Sequence, residues 1–280
     1  MALPVSFTRE GFKSMQEVSK KRKRVMIGTE GESESGKTEF ILSAPGPGII
    51  ECLDRGHEAM LDNPNPPEAR STDFAFDVLS IPLVTQVNKE DYLAGWQNFK
   101  GRVYKAIAIP ECLTIGIDTD NASWELQQLA EFGKLTQIPP IMRTSVNAAR
   151  RAFIAKLYDS GKNIIATNML TDEYSTVVDA EGKPVLKDGK EQQEKSGERR
   201  RQGFKDQNFL WQIQLRHFVT ESKYIERLKK TVPRKYGIKI LKCKANGELV
   251  GYELTGGDCC FAGLVQLVYP NIPLDVWGFK

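Results

Sequence analysis

The chain has 280 residues, of which 40% are apolar and 27% are charged. This size and composition exclude a wholly disordered chain, a collagen-like fibre and a disulfide-dependent mini-protein. The formal net charge is only +3, but residues 20–24 are all basic, and residues 223–244 hold nine Lys or Arg and one acid. The rest of the chain is therefore acidic. A division of this kind can mark a surface that faces a polyanion.

Location and cofactor classes are narrowed by what the sequence lacks. No apolar run approaches the roughly 18 residues that span a bilayer, and residues 1–15 show no signal-peptide pattern. The five cysteines are odd in number and contain no Cys-x-x-Cys pair, which favours a reduced, cytoplasmic location. Only two histidines are present, so a His-rich metal site is not expected.

The first 168 residues alternate between predicted strands and helices. After a polar, basic lead-in (1–24), apolar runs predict strands at 25–27, 48–53, 113–117 and 163–167. Helical periodicity or context predicts helices over 37–42, 89–108, 123–132 and 146–160. Such alternation predicts an α/β fold with a central parallel sheet and helices on both faces.

The remaining residues have a different, strand-rich pattern. Residues 171–206 predict a hairpin near 177–185 and then a charged, apolar-poor, mobile stretch. Strands are expected at 209–219, 224–228, 238–243 and 249–254, with Asn246-Gly247 as a tight hairpin turn, before a short helix at 261–267. We therefore expect a core over 25–235, with a C-terminal hairpin and helix (236–280) packed on it as antiparallel additions.

One segment carries a specific chemical motif. Gly31-Glu32-Ser33-Glu34-Ser35-Gly36-Lys37-Thr38 matches G-x-x-x-x-G-K-[ST], the P-loop pattern, between a predicted strand and a predicted helix. The backbone N–H groups of such a loop surround phosphates, the lysine reaches the β- and γ-phosphates, and the threonine hydroxyl binds Mg²⁺. The helix start also favours anions. The predicted nucleotide contacts are Gly31, Glu32, Ser33, Glu34, Ser35, Gly36, Lys37, Thr38 and Glu39.

A second element supports a nucleotide site. The apolar run Leu113-Thr114-Ile115-Gly116-Ile117 ends at Asp118, 81 residues after Lys37. An acid at the end of such a strand can hold Mg²⁺ directly or through water. An acid that merely caps a strand is the alternative. Thr38 and Asp118 are thus the predicted metal ligands, with ATP and Mg²⁺ as the expected cofactors.

These motifs resemble those of the RecA-like ATPases. The P-loop, the strand before Asp118 and the polar strand end Thr167-Asn168 carry the resemblance, which covers roughly residues 23–235. The segment from Ile117 to Leu126 is similar to an Asp-Ser-x-x-x-Leu-Trp segment of compact phage-encoded ATPases, some of which act in recombination or annealing. The resemblance implies a RecA-like P-loop fold, assembly into a ring or filament, and a host-cytoplasmic location.

The resemblance also implies catalytic residues. RecA-like enzymes take the carboxylate that orients the attacking water from the strand next to the P-loop strand. Glu51 and Asp54 are the candidates here, with Glu58 third; surface carboxylates are the alternative for each. Asn168 resembles the polar sensor that contacts the γ-phosphate or the attacking water, and an asparagine in a strand-terminal turn is its alternative reading.

Basic residues suggest two further roles. In RecA-like assemblies a Lys or Arg of a neighbouring subunit completes the ATP site, and Lys230 and Arg234 are the candidates. Lysines that protect a strand edge are the alternative. Arg199, Arg200, Arg201 and Lys205, with aromatic residues nearby, suit single-stranded nucleic acid. A solvated loop is the alternative there.

Four functions fit this pattern. The first is a DNA-dependent ATPase that acts on single-stranded DNA in recombination, annealing or replication. The second is an ATP-driven protein-remodelling or assembly factor, and the third a nucleotide-binding switch that does not hydrolyse ATP. The fourth, a small-molecule kinase, lacks a clear Arg-rich lid apart from residues 199–201.

Overall fold

A single large β-sheet organises the protein. The computed structural model describes residues 24–53, 68–78, 88–135, 138–179, 181, 183–187, 190–226 and 229–279. Its strands are β1 (Met26–Gly31), β2 (Gly48–Cys52), β3 (Phe74–Val78), β4 (Thr114–Asp118), β5 (Asn163–Thr176), β6 (Leu186–Lys187), β7 (Lys190–Glu191), β8 (Gln193–Arg201), β9 (Ile213–Ile225), β10 (Lys230–Cys243) and β11 (Glu253–Thr255). Its α-helices are α1 (Lys37–Leu42), α2 (Lys89–Ala108), α3 (Asp120–Phe132), α4 (Arg143–Asp159), α5 (Gln207–Leu210), α6 (Phe261–Val268) and α7 (Leu274–Trp277).

The strand order is β11-β10-β9-β1-β5-β4-β2-β3, with β8 paired to β5 outside this path. The six strands from β9 to β3 run parallel, whereas β10 and β11 add on in antiparallel orientation. Within the described part of the chain, no helix is long and apolar enough to cross a membrane. The fold is thus a mixed α/β fold with a mostly parallel sheet and antiparallel C-terminal additions.

Two apolar cores cover the two faces of the sheet. On one face, α1 and α6 pack on residues such as Ile27, Ile50 and Leu215; we call this the P-loop face. On the other, α2, α3 and α4 pack on residues such as Ile115 and Ile164; we call this the far face. Because side chains alternate along a strand, neighbouring residues of one strand belong to different faces.

Helix α2 shows how closely some elements follow the sequence. It covers the predicted range, and a capping box at Asn88 and Asp91 fixes its start. Trp96, Phe99 and Val103 form its buried stripe, as their helical spacing predicted. The strands around the P-loop and Asp118 also lie within a few residues of their predicted positions.

Other elements differ from prediction. Strand β5 continues to Thr176, and residues 193–201, expected to be a mobile stretch, form β8 against it; we call this pair the β5–β8 arm. Strand β9 is one continuous strand rather than two. Asn246 does not form a two-residue hairpin turn; it caps the short turn Gly247–Leu249 in a longer connection to β11. Backbone pairing between strands, which apolarity does not reveal, explains the ordered arm.

Candidate functional site

The P-loop connects β1 to α1 and requires glycine at both ends. A Cβ at Gly31 would lie 2.5 Å from Ser35 Oγ. Gly36 has a φ of +88°, and a Cβ there would lie 2.9 Å from the ring of Tyr236. A side chain at Gly31 would therefore collide with its neighbours. A side chain at Gly36 would collide as well, and it would also be strained by the positive φ. Helix α1 has only six residues, so any anion would be held mainly by the N–H groups of the loop itself.

The Lys37 side chain lies inside this loop. Its Nζ donates to the carbonyl oxygen of Gly31 at 3.0 Å and to that of Glu32 at 2.5 Å. The residue is 7% exposed. An ammonium held inside a loop by backbone carbonyl oxygens can also bind an anion that enters the loop. This is the property that a phosphate site needs.

Thr38 and Asp118, the two predicted metal ligands, are in direct contact. The Thr38 hydroxyl donates to Asp118 Oδ2 at 2.7 Å. The other oxygen, Oδ1, accepts a hydrogen bond from the Thr167 hydroxyl. Asp118 is 3% exposed. A hydroxyl and a carboxylate side by side, next to a phosphate-binding loop, are the donor set that Mg²⁺ uses with a nucleotide. The structure therefore brings these residues together, and it adds Thr167.

His217 is a neighbour of the P-loop that sequence reasoning missed. It lies on β9 opposite Gly31 of β1, and its ring contacts Phe40 of α1 at a centroid distance of 5.5 Å. Burial, and then the charge of Lys37, lower its pKa to about 3, so the imidazole is neutral. Neither ring nitrogen makes a hydrogen bond of good geometry among the described residues, and a backbone contact with Ser35 only partly opposes the lowering of the pKa. Only the pairing of β9 with β1, which the sequence does not reveal, places it here.

Glu51 does not face the P-loop. It pairs with Ile117 across β2 and β4, whereas Asp118 pairs with Cys52. Ile117 belongs to the far face, and so does Glu51. Moreover, β4 and β5 separate β2 from the P-loop strand, contrary to the expectation that these strands would be adjacent.

The buried position of Glu51 changes the pKa of its carboxyl group. Burial raises the pKa of its carboxyl to about 7, and the charge of Arg102 partly opposes that shift. Its Oε2 has no partner in the described structure. The expectation that Glu51 is the catalytic base is therefore wrong on geometry. The other two candidates, Asp54 and Glu58, lie outside the described residues.

Asn168 is likewise on the far face. Its neighbour Thr167 bonds to Asp118 on the P-loop face, so alternation turns Asn168 the other way. Its Oδ1 lies near Gly203, where a Cβ would approach it to 3.3 Å. Strand β5 continues for eight residues beyond it, so neither a γ-phosphate sensor nor a strand-terminal turn describes this residue. Thr167 is the residue of this pair that faces the P-loop.

The far face also holds a buried ion pair. Arg150 Nη2 lies 2.5 Å from Asp120 Oδ1, and both side chains are at most 1% exposed. Gln207 donates to the other carboxylate oxygen at 2.6 Å. The guanidinium also lies over the rings of Trp96, Trp124 and Phe153. This cluster ties α3, α4 and α5 together.

An open groove of about 1300 Å³ runs beside the P-loop, between the β5–β8 arm and β9. Its basic lining residues include the four nucleic-acid candidates, Arg199, Arg200, Arg201 and Lys205, together with Arg216; its acidic ones are Glu30, Glu32, Glu173 and Glu198. The groove therefore carries both signs of charge rather than a uniformly basic surface.

The four nucleic-acid candidates differ in their surroundings. Arg200 and Lys205 are exposed. Arg199 forms an ion pair with Glu32 of the P-loop. Arg201 is half-buried, donates to Gln207 and to the carbonyl oxygen of Phe204, and burial lowers its pKa. Arg201 is therefore a structural residue of the arm.

The aromatic residues near these arginines are mostly unavailable for base stacking. Phe204 is buried against Trp124 at a centroid distance of 4.9 Å, and Trp211 is 1% exposed. Only Phe209, at 77% exposure, is open to solvent among the three nearby aromatics. Of the three aromatic residues, Phe209 alone could therefore stack on a base.

Three further predictions cannot be located. Lys230 and Arg234 belong to β10, but their side chains lie outside the described part of the structure, as do residues 20–23. Among the described residues, no group of three or more His, Cys, Asp or Glu could hold a metal ion by itself. A cation at Thr38 and Asp118 would thus rely on phosphate oxygens and water for its remaining ligands.

Comparison with protein-family models finds no match, and no curated protein is significantly similar to the chain.

Proposed function

We propose that this chain is a RecA-like P-loop ATPase that binds MgATP in the loop between β1 and α1. The contact between Thr38 and Asp118, at 2.7 Å, carries the proposal, because two residues 80 positions apart meet as the motif requires. Lys37 lies in the same loop, where its Nζ donates to the carbonyl oxygens of Gly31 and Glu32. Bound Mg²⁺ would neutralise the phosphates and polarise the terminal phosphoryl group.

Each residue of the P-loop face has a role in this proposal. Lys37 would leave the carbonyl oxygens of the loop and bind the β- and γ-phosphates. Thr38 and Asp118 would hold the metal ion, directly or through water, and Thr167 would keep the Asp118 carboxylate in position. Lys230 and Arg234 remain the proposed contributors to a neighbour's site in a ring or filament.

Single-stranded DNA is the proposed effector, bound through exposed cations of the groove. Arg200 and Lys205 are the proposed phosphate contacts, since both are exposed beside the P-loop. Binding of this kind weakens steeply with salt. The experiment is the rate of phosphate release with and without single-stranded DNA at low salt, together with the oligomeric state by light scattering.

Variants separate the parts of this proposal. Lys37→Ala and Asp118→Asn should lose nucleotide-dependent activity while keeping the circular dichroism spectrum of the wild type. Glu51→Gln is the matched control, since it changes an acid at the end of a neighbouring strand on the other face. Absence of nucleotide binding by the wild type would refute the proposal. Absence of DNA binding at low salt would refute only the DNA part.

A second function is favoured by one observation. Glu51, the first candidate base, faces away from the P-loop, which supports a nucleotide-binding switch that does not hydrolyse ATP. Single-turnover phosphate release with the enzyme in excess over ATP discriminates the two. A switch binds ATP and releases no phosphate, whereas an ATPase releases it at a rate that Lys37→Ala abolishes.

A further inference from the structure

Glu32 of the P-loop contacts two cations in different ways. Its carbonyl oxygen accepts a hydrogen bond from Lys37 Nζ at 2.5 Å. Its carboxylate forms an ion pair with the guanidinium of Arg199, which comes from strand β8 of the arm. One cation of the P-loop and one cation of the arm are therefore held by the same residue.

The Arg199–Glu32 ion pair is easily exchanged. The two side chains are 43% and 49% exposed, and exposed pairs contribute little to stability because water and salt screen them. Arg199 Nε also lies 3.6 Å from Asp172 Oδ1. Asp172 keeps a closer partner, Lys195, at 2.5 Å. Neither acid therefore prevents Arg199 from turning to a stronger anion.

The main chain of Arg199 is fixed beside the end of β1. Arg216 of β9 donates from Nη2 to the Arg199 carbonyl oxygen at 3.3 Å. The same guanidinium binds the Glu30 carboxylate, with Nε at 2.8 Å from Oε1. Glu30 immediately precedes the first P-loop glycine. Arg199 is thus held at a fixed place next to the loop, with only its side chain free to exchange partners.

We propose that Arg199 binds the terminal phosphate of ATP from within the same chain, exchanging the Glu32 carboxylate for a phosphate oxygen. This inference rests on the proposed ATP site. A guanidinium matches phosphate with two parallel hydrogen bonds, and a triphosphate carries more charge than one carboxylate. Arg199 is then a residue that distinguishes ATP from ADP, and its assignment as a nucleic-acid contact is replaced.

The test is equilibrium binding of a non-hydrolysable ATP analogue and of ADP, each with Mg²⁺, to the wild type and three variants. Arg199→Ala should weaken binding of the analogue roughly 10- to 100-fold, the range of a charge-assisted hydrogen bond, and should change ADP binding little. Arg199→Lys should restore only part of the loss, because it lacks the planar fork. Arg151→Ala is the control, since it removes a surface arginine of α4 that pairs with Asp206, and it should change neither.

The outcomes are distinguishable. If the wild type binds neither nucleotide, the proposed function fails and this inference fails with it. If the wild type binds both and Arg199→Ala leaves the ratio of the two affinities unchanged, only this inference is overturned. It is also overturned if Arg151→Ala has the same effect, or if Arg199→Ala weakens only single-stranded DNA binding.

Discussion

The two faces of the sheet use the same kind of residue in different ways. On the P-loop face, Asp118 accepts hydrogen bonds from two threonines and lies beside the P-loop. On the far face, Asp120 is neutralised by a buried arginine, and Glu51 is buried with one carboxylate oxygen that has no hydrogen-bond partner among the described residues. All three acids lie within two residues of the end of a parallel strand. For the two that belong to strands, Asp118 and Glu51, strand alternation decides which of them faces the P-loop.

The largest expected effect on the P-loop face is that of Lys37→Ala. Removing the ammonium should lower the rate of ATP hydrolysis on the order of 10³-fold, as for loss of a group that stabilises transition-state charge. The unfolding midpoint should change little, since the hydrogen bonds of the ammonium to Gly31 and Glu32 lie within the loop itself. Phosphate release and a denaturant titration measure the two quantities. A large loss of stability in this variant would contradict the view that the P-loop face serves activity rather than folding.

The far face should respond in the opposite way to Arg150→Met. Loss of the guanidinium leaves the Asp120 carboxylate buried without its counter-charge, which costs roughly 3–5 kcal/mol. Urea unfolding measures this, and ATP affinity should be unchanged where the variant is folded. The control is Arg151→Met, because Arg151 pairs with Asp206 at the surface, with 54% and 40% of the two side chains exposed. That pair should be worth less than about 1 kcal/mol.

The effect of Glu51→Gln on stability should depend on pH. The free carboxyl titrates near pH 4.5 and the folded one near pH 7. The folded protein therefore holds a proton that the unfolded chain has released, and stability falls as the pH rises between these values. At pH 8 the glutamine variant should be more stable by roughly 3 kcal/mol, and at pH 4 it should match the wild type. Equal stabilisation at both values would show that another cause is at work.

His217→Phe should have the smallest effect of the four. The unfolded imidazole gains a proton below about pH 6.5, whereas the folded one remains neutral down to about pH 3. Stability of the wild type is therefore lost as the pH falls below 6.5, by about 2 kcal/mol at pH 5. The phenylalanine variant keeps a ring against Phe40 but has no titrating group there, so it should not show this loss of stability at low pH. Unfolding curves at pH 7.5 and 5 measure the difference.

The sequence predicted that Thr38 and Asp118 would meet, but it did not predict their surroundings. The P-loop and Asp118 could be recognised because their chemistry depends on residue type and spacing. Glu51 and Asn168 were misassigned because a shift of one residue along a strand reverses the face, and an apolar run on both sides of a strand carries no alternation to read. His217 could not be found, since its position depends on which strand pairs with β1.

The arm could not be predicted for another reason. The strand β8 contains Glu194, Lys195, Glu198 and three consecutive arginines, and most of its residues are exposed. Such a composition predicts disorder when each residue is considered alone. Pairing with β5 joins the backbones of both strands, and the two acids near Arg199, Glu32 and Asp172, come from other parts of the chain.

Strand β5 has a mechanical consequence. Its 14 residues form one continuous strand about 45 Å long. The strand begins in the middle of the sheet and ends in the β5–β8 arm. Thr167 lies in the part of β5 inside the sheet and donates a hydrogen bond to Asp118. Asp172 lies in the part that belongs to the arm, next to a shift in the register of β5 with β8. A force on the outer end of the β5–β8 arm therefore acts on the same strand, β5, whose Thr167 donates a hydrogen bond to Asp118. A partner that bends the arm would therefore act directly on the strand that positions Asp118 beside the P-loop.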